Sequence, residues 1–107
     1  MDEQRFRHLA DETFKRILDG FDDIDADDAD VETAGNTIHI AFRDGSRCVV
    51  NTQGATRQIW LAGAQSGWHF SYDEATQTWL HDKGSGDELL STIARLSERA
   101  IGRAPSF

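Results

Sequence analysis

The chain has 107 residues, enough for one modest core and too few for a second ordinary domain. Its composition, 38% hydrophobic and 9% aromatic, is that of a globular chain rather than a disordered one. The formal charge of -8 argues against nucleic-acid partners, because phosphate backbones are bound by clustered Lys and Arg.

The first segment, from about Asp2 to Phe21, places Phe6, Leu9, Ala10, Phe14, Ile17, Leu18 and Phe21 at steps of three and four, which predicts an amphipathic helix. Its polar face carries Asp11, Glu12, Lys15, Arg16, Asp19, Asp22 and Asp23. Negative charge therefore grows toward the helix C-terminus, where the helix dipole favours cations. Helix stability does not account for those acids.

Short alternating runs follow. Val31 to Thr33 precedes a turn at Ala34-Gly35-Asn36, and Ile38, Ile40 and Phe42 then alternate with polar or small residues. Beyond Asp44-Gly45, Arg47 to Asn51 offers Cys48 and Val50 to one face. A two-residue turn would pair Phe42 with Arg47, whereas a three-residue loop with Gly45 left-handed keeps Ile40, Phe42, Cys48 and Val50 together. The three-residue loop is expected. Strands at Arg57 to Ala62, Trp68 to Tyr72 and Gln77 to His81 follow, separated by Gly63 to Gly67 and by Asp73 to Thr76.

A second helix is expected from Ser85, with Glu88 completing a capping box and Leu89, Leu90, Ile93, Leu96, Ala100 and Ile101 on one face. The tail after Gly102, with Pro105, reads as mobile. The order of helix, about six short strands and helix, joined by hairpin-length loops, predicts an α+β fold: a two-layer alpha-beta sandwich with two helices on one face of an antiparallel sheet, in a single domain over residues 1–107. Strand parity then turns Ile59 and Leu61 inward and leaves Gln58 and Trp60 outward. Trp60 is either an interaction hot spot flanked by Asn51, Gln53 and Gln58 or a ring tucked against a neighbouring loop.

No run approaches the roughly 20 apolar residues of a membrane span, and Met1 is followed by Asp-Glu-Gln-Arg rather than a basic, then apolar, leader. A cytoplasmic protein without a membrane partner is expected. Cys48 is the only cysteine, which rules out an internal disulfide and a CxxC zinc site and reads as a small core residue. His8, His39, His69 and His81 lack ligand spacing such as HxxxH. No nucleophile-base or paired-carboxylate constellation stands out, so no catalytic residues are assigned and an enzyme is not expected.

Charge placement carries the strongest functional signal. From Ile17 to Phe42 there is no Lys or Arg, while Asp19, Asp22, Asp23, Asp25, Asp27, Asp28, Asp30 and Glu32 supply eight carboxylates. The remaining residues hold 11 acidic and 11 basic side chains, so this one stretch carries the whole imbalance. An EF-hand fits Asp23, Asp25 and Asp27 at its first, third and fifth positions, but Asp28 stands where glycine is required and Ala34 where the bidentate Glu belongs. The stretch is either a solubilising face or a surface for a hard cation or a basic protein, whose binding would relieve its self-repulsion.

The run Asn51-Thr52-Gln53-Gly54-Ala55-Thr56-Arg57-Gln58-Ile59-Trp60-Leu61-Ala62 resembles the frataxin signature N-K/R-Q-x-P-x-x-Q-I-W-L-A/S. Arg5-Phe6, Leu9 to Glu12, the acidic stretch to Glu32, Ser66-Gly67 before Phe70, and Trp79 ahead of the last helix extend the resemblance over essentially the whole chain, in its bacterial form. The resemblance implies iron-sulfur cluster biogenesis: weak, multi-site binding of ferrous and ferric iron, and docking on the cysteine desulfurase and scaffold proteins. Carried across, the iron ridge is Asp19, Asp22, Asp23, Asp25, Asp27, Asp28, Asp30 and Glu32, with Asp11 and Glu12 as outer members. Partner contact falls to Asp19, Asp22 and Asp23 and to the sheet residues Asn51, Gln53, Gln58 and Trp60. A monomer, or an iron-dependent oligomer, is implied. Thr52 stands where the signature has a basic residue and Ala55 where it has proline, which predicts a looser turn before Gln58 and a sheet-face contact lacking one charge.

Overall fold

The computed structural model describes residues 1–107. Helix α1 (Glu3–Gly20) starts where Asp2 accepts a 2.7 Å hydrogen bond from the Arg5 backbone N–H, satisfying one of the four donors a helix start leaves free. Six strands follow, β1 (Ala29–Ala34), β2 (Thr37–Phe42), β3 (Arg47–Gln53), β4 (Gln58–Gly63), β5 (Ser66–Asp73) and β6 (Thr78–His81), and then helix α2 (Leu89–Ile101). The strands form one antiparallel sheet in sequence order, a plain meander, as hairpin-length loops dictate. The fold is the expected α+β sandwich.

The register sets which side chains meet. Ile38 pairs with Val50 and Val50 with Leu61, Ile40 pairs with Cys48, and Ile59 pairs with Phe70. These residues are buried under the helices with Phe6, Ala10, Ile17, Leu89 and Ile93. Each large apolar side chain so removed from water contributes about 1.5–3 kcal/mol before entropy is counted. The Trp79 indole N–H, at the sheet's end, donates to the Thr13 hydroxyl at 2.9 Å, and that hydroxyl donates to the Leu9 carbonyl. The bond fixes α1 against β6 without leaving a buried polar atom unpaired.

The β2–β3 connection is the expected three-residue loop: Phe42 N–H bonds the Ser46 carbonyl, Gly45 N–H bonds the Phe42 carbonyl, and Gly45 has φ +92°. The β4–β5 connection is tighter than the sequence suggested. Gly63 pairs with Ser66, leaving Ala64 and Gln65 as a two-residue turn with both residues at positive φ.

Two expectations at the C-terminal end are corrected. Helix α2 does not start with a Ser85 capping box; Glu88 is itself the N-cap, its carboxylate accepting from the backbone N–H of Leu90 and Ser91, while Ser85 bonds Asp87. Nor is the tail loose. Pro105 is buried, Ser106 N–H donates to the Gly20 carbonyl at 2.9 Å, and the Phe107 ring meets Phe21 edge-on at 6.2 Å. The tail is the strap that closes the end of α1.

Candidate functional site: an acidic edge and the open sheet face

The acidic stretch follows the edge of the sandwich. Asp11, Glu12 and Asp19 are exposed on α1, Asp22 and Asp23 on the turn that ends it, and Asp25 and Asp27 on the loop to β1. Asp30 and Glu32 alternate with the inward residues Ala29 and Val31 on the edge strand, so they point away from the helices onto the open sheet face. The ridge thus begins in the helix layer and ends on the opposite face of the sheet.

Its carboxylates are not equivalent. The Asp25 side chain accepts from the Asp27 backbone N–H at 2.8 Å, which shapes the loop. Asp28, half-buried, is paired with Arg43 from the β2–β3 loop, and Glu12 is paired with His8 one turn earlier. Asp19, Asp22, Asp23, Asp27, Asp30 and Glu32 have no ion-pair or hydrogen-bond partner for their carboxylates; the nearest base on the tail, Arg103, donates to the Asp23 main-chain carbonyl instead. Nowhere do three His, Cys, Asp or Glu side chains converge on a point where they could enclose a metal ion. The donor set fits a hard cation held loosely at the surface, not a closed cage.

The second group of sequence-predicted residues comes together on the open face. Asn51 is opposite Trp60 and Gln53 opposite Gln58 across β3 and β4, which places all four side chains on one side. Gln53 donates to Asn51 at 3.0 Å, and the Trp60 indole N–H donates to the side-chain Oε1 of Gln58 at 2.9 Å. Trp60 is half-buried, and what covers it is neither a loop nor solvent alone. Its ring stacks on His69 of β5, with centroids 4.2 Å apart and planes 16° from parallel. Asp82 extends the network: it accepts from Gln58 at 3.1 Å, and a carboxylate oxygen is 3.8 Å from Nδ1 of His69. His69 and Asp82 carried no signal in the chain's spacing, because their approach depends on the β4–β5 register and on the turn after β6. Asp30 and Glu32 face the same side as Trp60, three strand spacings or about 14 Å across the sheet and further along it, since the register carries Trp60 through Asn51 and Thr37 to Ala34.

No helix is long and apolar enough to cross a membrane. A groove of about 820 Å³ lies between α1 and α2, lined in part by Leu9, Trp79, Leu90, Pro105 and Phe107, on the opposite side of the molecule from Trp60.

The model of the Frataxin-like domain matches residues 1–103. The chain belongs to the frataxin family. Among its relatives, the iron-sulfur cluster assembly protein CyaY of Pseudomonas aeruginosa is 40% identical over 107 residues, covering 100% of this chain and 97% of the relative. The protein of that name from Azotobacter vinelandii is 37% identical over 105 residues, covering 98% and 94%. The fold of frataxin from Psychromonas ingrahamii superposes with a TM-score of 0.87 at 24% identity, covering 99% of this chain and 97% of that one. A trimeric frataxin from Saccharomyces cerevisiae, crystallised in complex with ferrous iron, superposes with a TM-score of 0.74 at 24% identity, over 89% and 87% of the two chains.

Within the frataxin fold the signature run is the β3–β4 hairpin, and its two departures have different consequences. Thr52 pairs with Ile59, so it belongs to the helix-side face, not to the face of Asn51 and Trp60. The basic side chain missing there is not a gap in the amide and aromatic patch. At the turn, Gln53 pairs with Gln58 across a four-residue loop in which Arg57 takes φ +55° and bonds the Gly54 carbonyl through both its backbone N–H and its guanidinium. That fastening closes the turn although Ala55 replaces proline.

Proposed function

We propose that this chain is an iron-binding regulator of iron-sulfur cluster assembly, docking on the cysteine desulfurase and its scaffold partners through the acidic ridge and the Trp60 face. The observation that carries the reading is the strip of unpaired carboxylates along the β1 edge, whose last members share an open face with an aromatic and amide patch. Oxygen-only, solvent-exposed donors suit Fe²⁺ and Fe³⁺ held weakly at several places. Asp19, Asp22, Asp23, Asp25, Asp27, Asp30 and Glu32 would hold it, with Asp11 and Glu12 as outer members. Asp28 contributes less, because Arg43 already occupies it. Cluster assembly as the setting rests on the frataxin relatives that carry that name. The chain acts by binding rather than by catalysis, as a monomer that iron can assemble further.

Anaerobic titration with Fe²⁺, followed through the backbone amides of residues 19–32, tests the metal half. Graded shifts across the ridge without saturation of one site are expected; a single tight site at His39 or His69 would sink it. Desulfurase turnover with and without the chain tests the regulatory half, and unchanged turnover at saturating chain concentration refutes it.

A second reading is favoured by the absence of a convergent metal cluster: the ridge is an electrostatic dock for a basic partner and iron is incidental. Pull-down of the desulfurase in chelator separates the two. Binding that needs iron supports the first reading; binding that ignores iron but falls steeply with salt supports the second.

A further inference from the structure

Resting on that docking reading, the geometry points to His69 as the residue that positions Trp60: its imidazole is the platform that keeps the indole in the orientation it presents to the partner. The Trp60 ring is fixed on two sides by this chain's own groups. Gln58 takes its N–H at 2.9 Å, and Gln58 is in turn anchored by donating to Ser71 and Asp82, each at 3.1 Å. The other contact is the ring face, which lies on the His69 imidazole at 4.2 Å and 16°. An indole so held has lost its rotamer freedom before a partner arrives, which lowers the entropic cost of using it as an anchor.

The imidazole has neighbours of its own. The charged and titratable groups facing it are Asp82, at 3.8 Å from its Nδ1, and His81, whose ring nitrogen is 3.1 Å from the His69 backbone nitrogen; Lys83 follows Asp82 in the chain but makes no ion pair. No Lys or Arg bonds to the cluster. The Asp82 carboxylate stands beside both supports of the indole, His69 at 3.8 Å and Gln58, which donates to it at 3.1 Å.

The test follows the Trp60 indole N–H by NMR in the full chain, together with affinity for the cysteine desulfurase. In wild type the indole gives one sharp signal. His69→Phe, which keeps a flat ring under Trp60, is expected to retain that sharp signal and to bind more tightly than His69→Ala. His69→Ala broadens the indole signal and weakens binding about tenfold, as loss of a pre-organised anchor does. The other backbone amides report that both variants are folded. A His69→Ala chain with an unmoved Trp60 signal and wild-type affinity overturns the inference, as does a His69→Phe chain that behaves as His69→Ala does. Failure of wild type to bind the desulfurase would refute the docking reading instead, and the indole signal alone would then decide whether His69 positions Trp60.

Discussion

The ring of the last residue, Phe107, lies over the α-carbon of Gly20: a Cβ at position 20 would stand 2.4 Å from Phe107 Cδ1. No side chain fits at Gly20 while the tail is seated. Gly20→Ala must therefore displace Phe107 and loosen Ser106, whose N–H donates to the Gly20 carbonyl. Full truncation of a buried Phe costs about 3–5 kcal/mol, and Phe107 is half-buried, so Phe107→Ala should cost about 1–3 kcal/mol. Combining it with Gly20→Ala should add little, since both remove one contact. Urea unfolding of the two single variants and the double checks this; fully additive losses would show that the strap and Gly20 act separately.

The ridge should respond to salt. Its unpaired carboxylates lie along one edge where Arg43 neutralises Asp28 and Arg103 reaches only a main-chain carbonyl, so their remaining repulsion opposes the folded state and is screened by ions. Replacing Asp22 and Asp23 by Asn should raise the thermal midpoint at low ionic strength and shrink the gain that added salt or divalent cation gives wild type. Asp25 behaves differently, because its carboxylate holds the Asp27 N–H; Asp25→Ala loses that bond while Asp25→Asn keeps an acceptor. Thermal melts over a salt series decide it. A double Asn variant with unchanged stability and unchanged salt slope refutes the repulsion.

What was legible in the chain was local. Alternation of Ile38, Ile40 and Phe42 with Cys48 and Val50 allows only a three-residue loop if one face is to be buried, and Gly45 supplies the left-handed residue that loop needs. The ridge could be found by counting charges. What escaped were relations between residues far apart in sequence. Nothing near Trp60 announces that His69 will lie under it, since that depends on a two-residue turn at Ala64-Gln65 that lacks the usual Gly or Asn. The tail looked mobile because its few apolar residues have no period, yet Pro105 and Phe107 find a surface made by α1. Arg43 lies just beyond the base-free stretch and returns across the hairpin to neutralise Asp28.

Glu88, not Ser85, should control the stability of α2. The Glu88 carboxylate accepts from Leu90 N–H at 2.7 Å and Ser91 N–H at 3.1 Å, two of the donors a helix start leaves free. Glu88→Ala should cost about 1 kcal/mol, or roughly 4–8 °C in a domain of this size. Ser85→Ala acts through Asp87, whose carboxyl is held below the usual range first by the Ser85 hydroxyl and then by the Trp68 indole and Arg95. A depressed carboxyl adds stability above its unfolded pKa and loses it as pH falls through the folded one. Ser85→Ala should therefore lower stability at neutral pH, by less than Glu88→Ala does, leave acid stability nearly unchanged, and so reduce the loss on acidification. A larger effect at Ser85 than at Glu88 at neutral pH would restore the capping box.

Cys48 should be chemically silent in the folded chain and should mark its alkaline limit. It is 2% exposed between Ile40 and Gly63, and burial pushes its thiol from 9.0 to about 11. At pH 8 that leaves roughly one thiolate per thousand thiols, and the nucleophile is shielded as well. Labelling by a thiol reagent at pH 8 should then proceed only as fast as the chain unfolds. The stability consequence has a definite sign: above 9.0 the unfolded chain gives up the proton while the folded one retains it, so stability falls as pH rises toward about 11. At most about 2–3 kcal/mol is lost this way. Cys48→Ala should begin less stable, from the lost packing, yet decline less steeply over that interval, the difference isolating the thiol from Tyr72 and the lysines. Rapid labelling of the native chain at pH 8, or parallel pH profiles for the two proteins, would show that the thiol is not held as its burial requires.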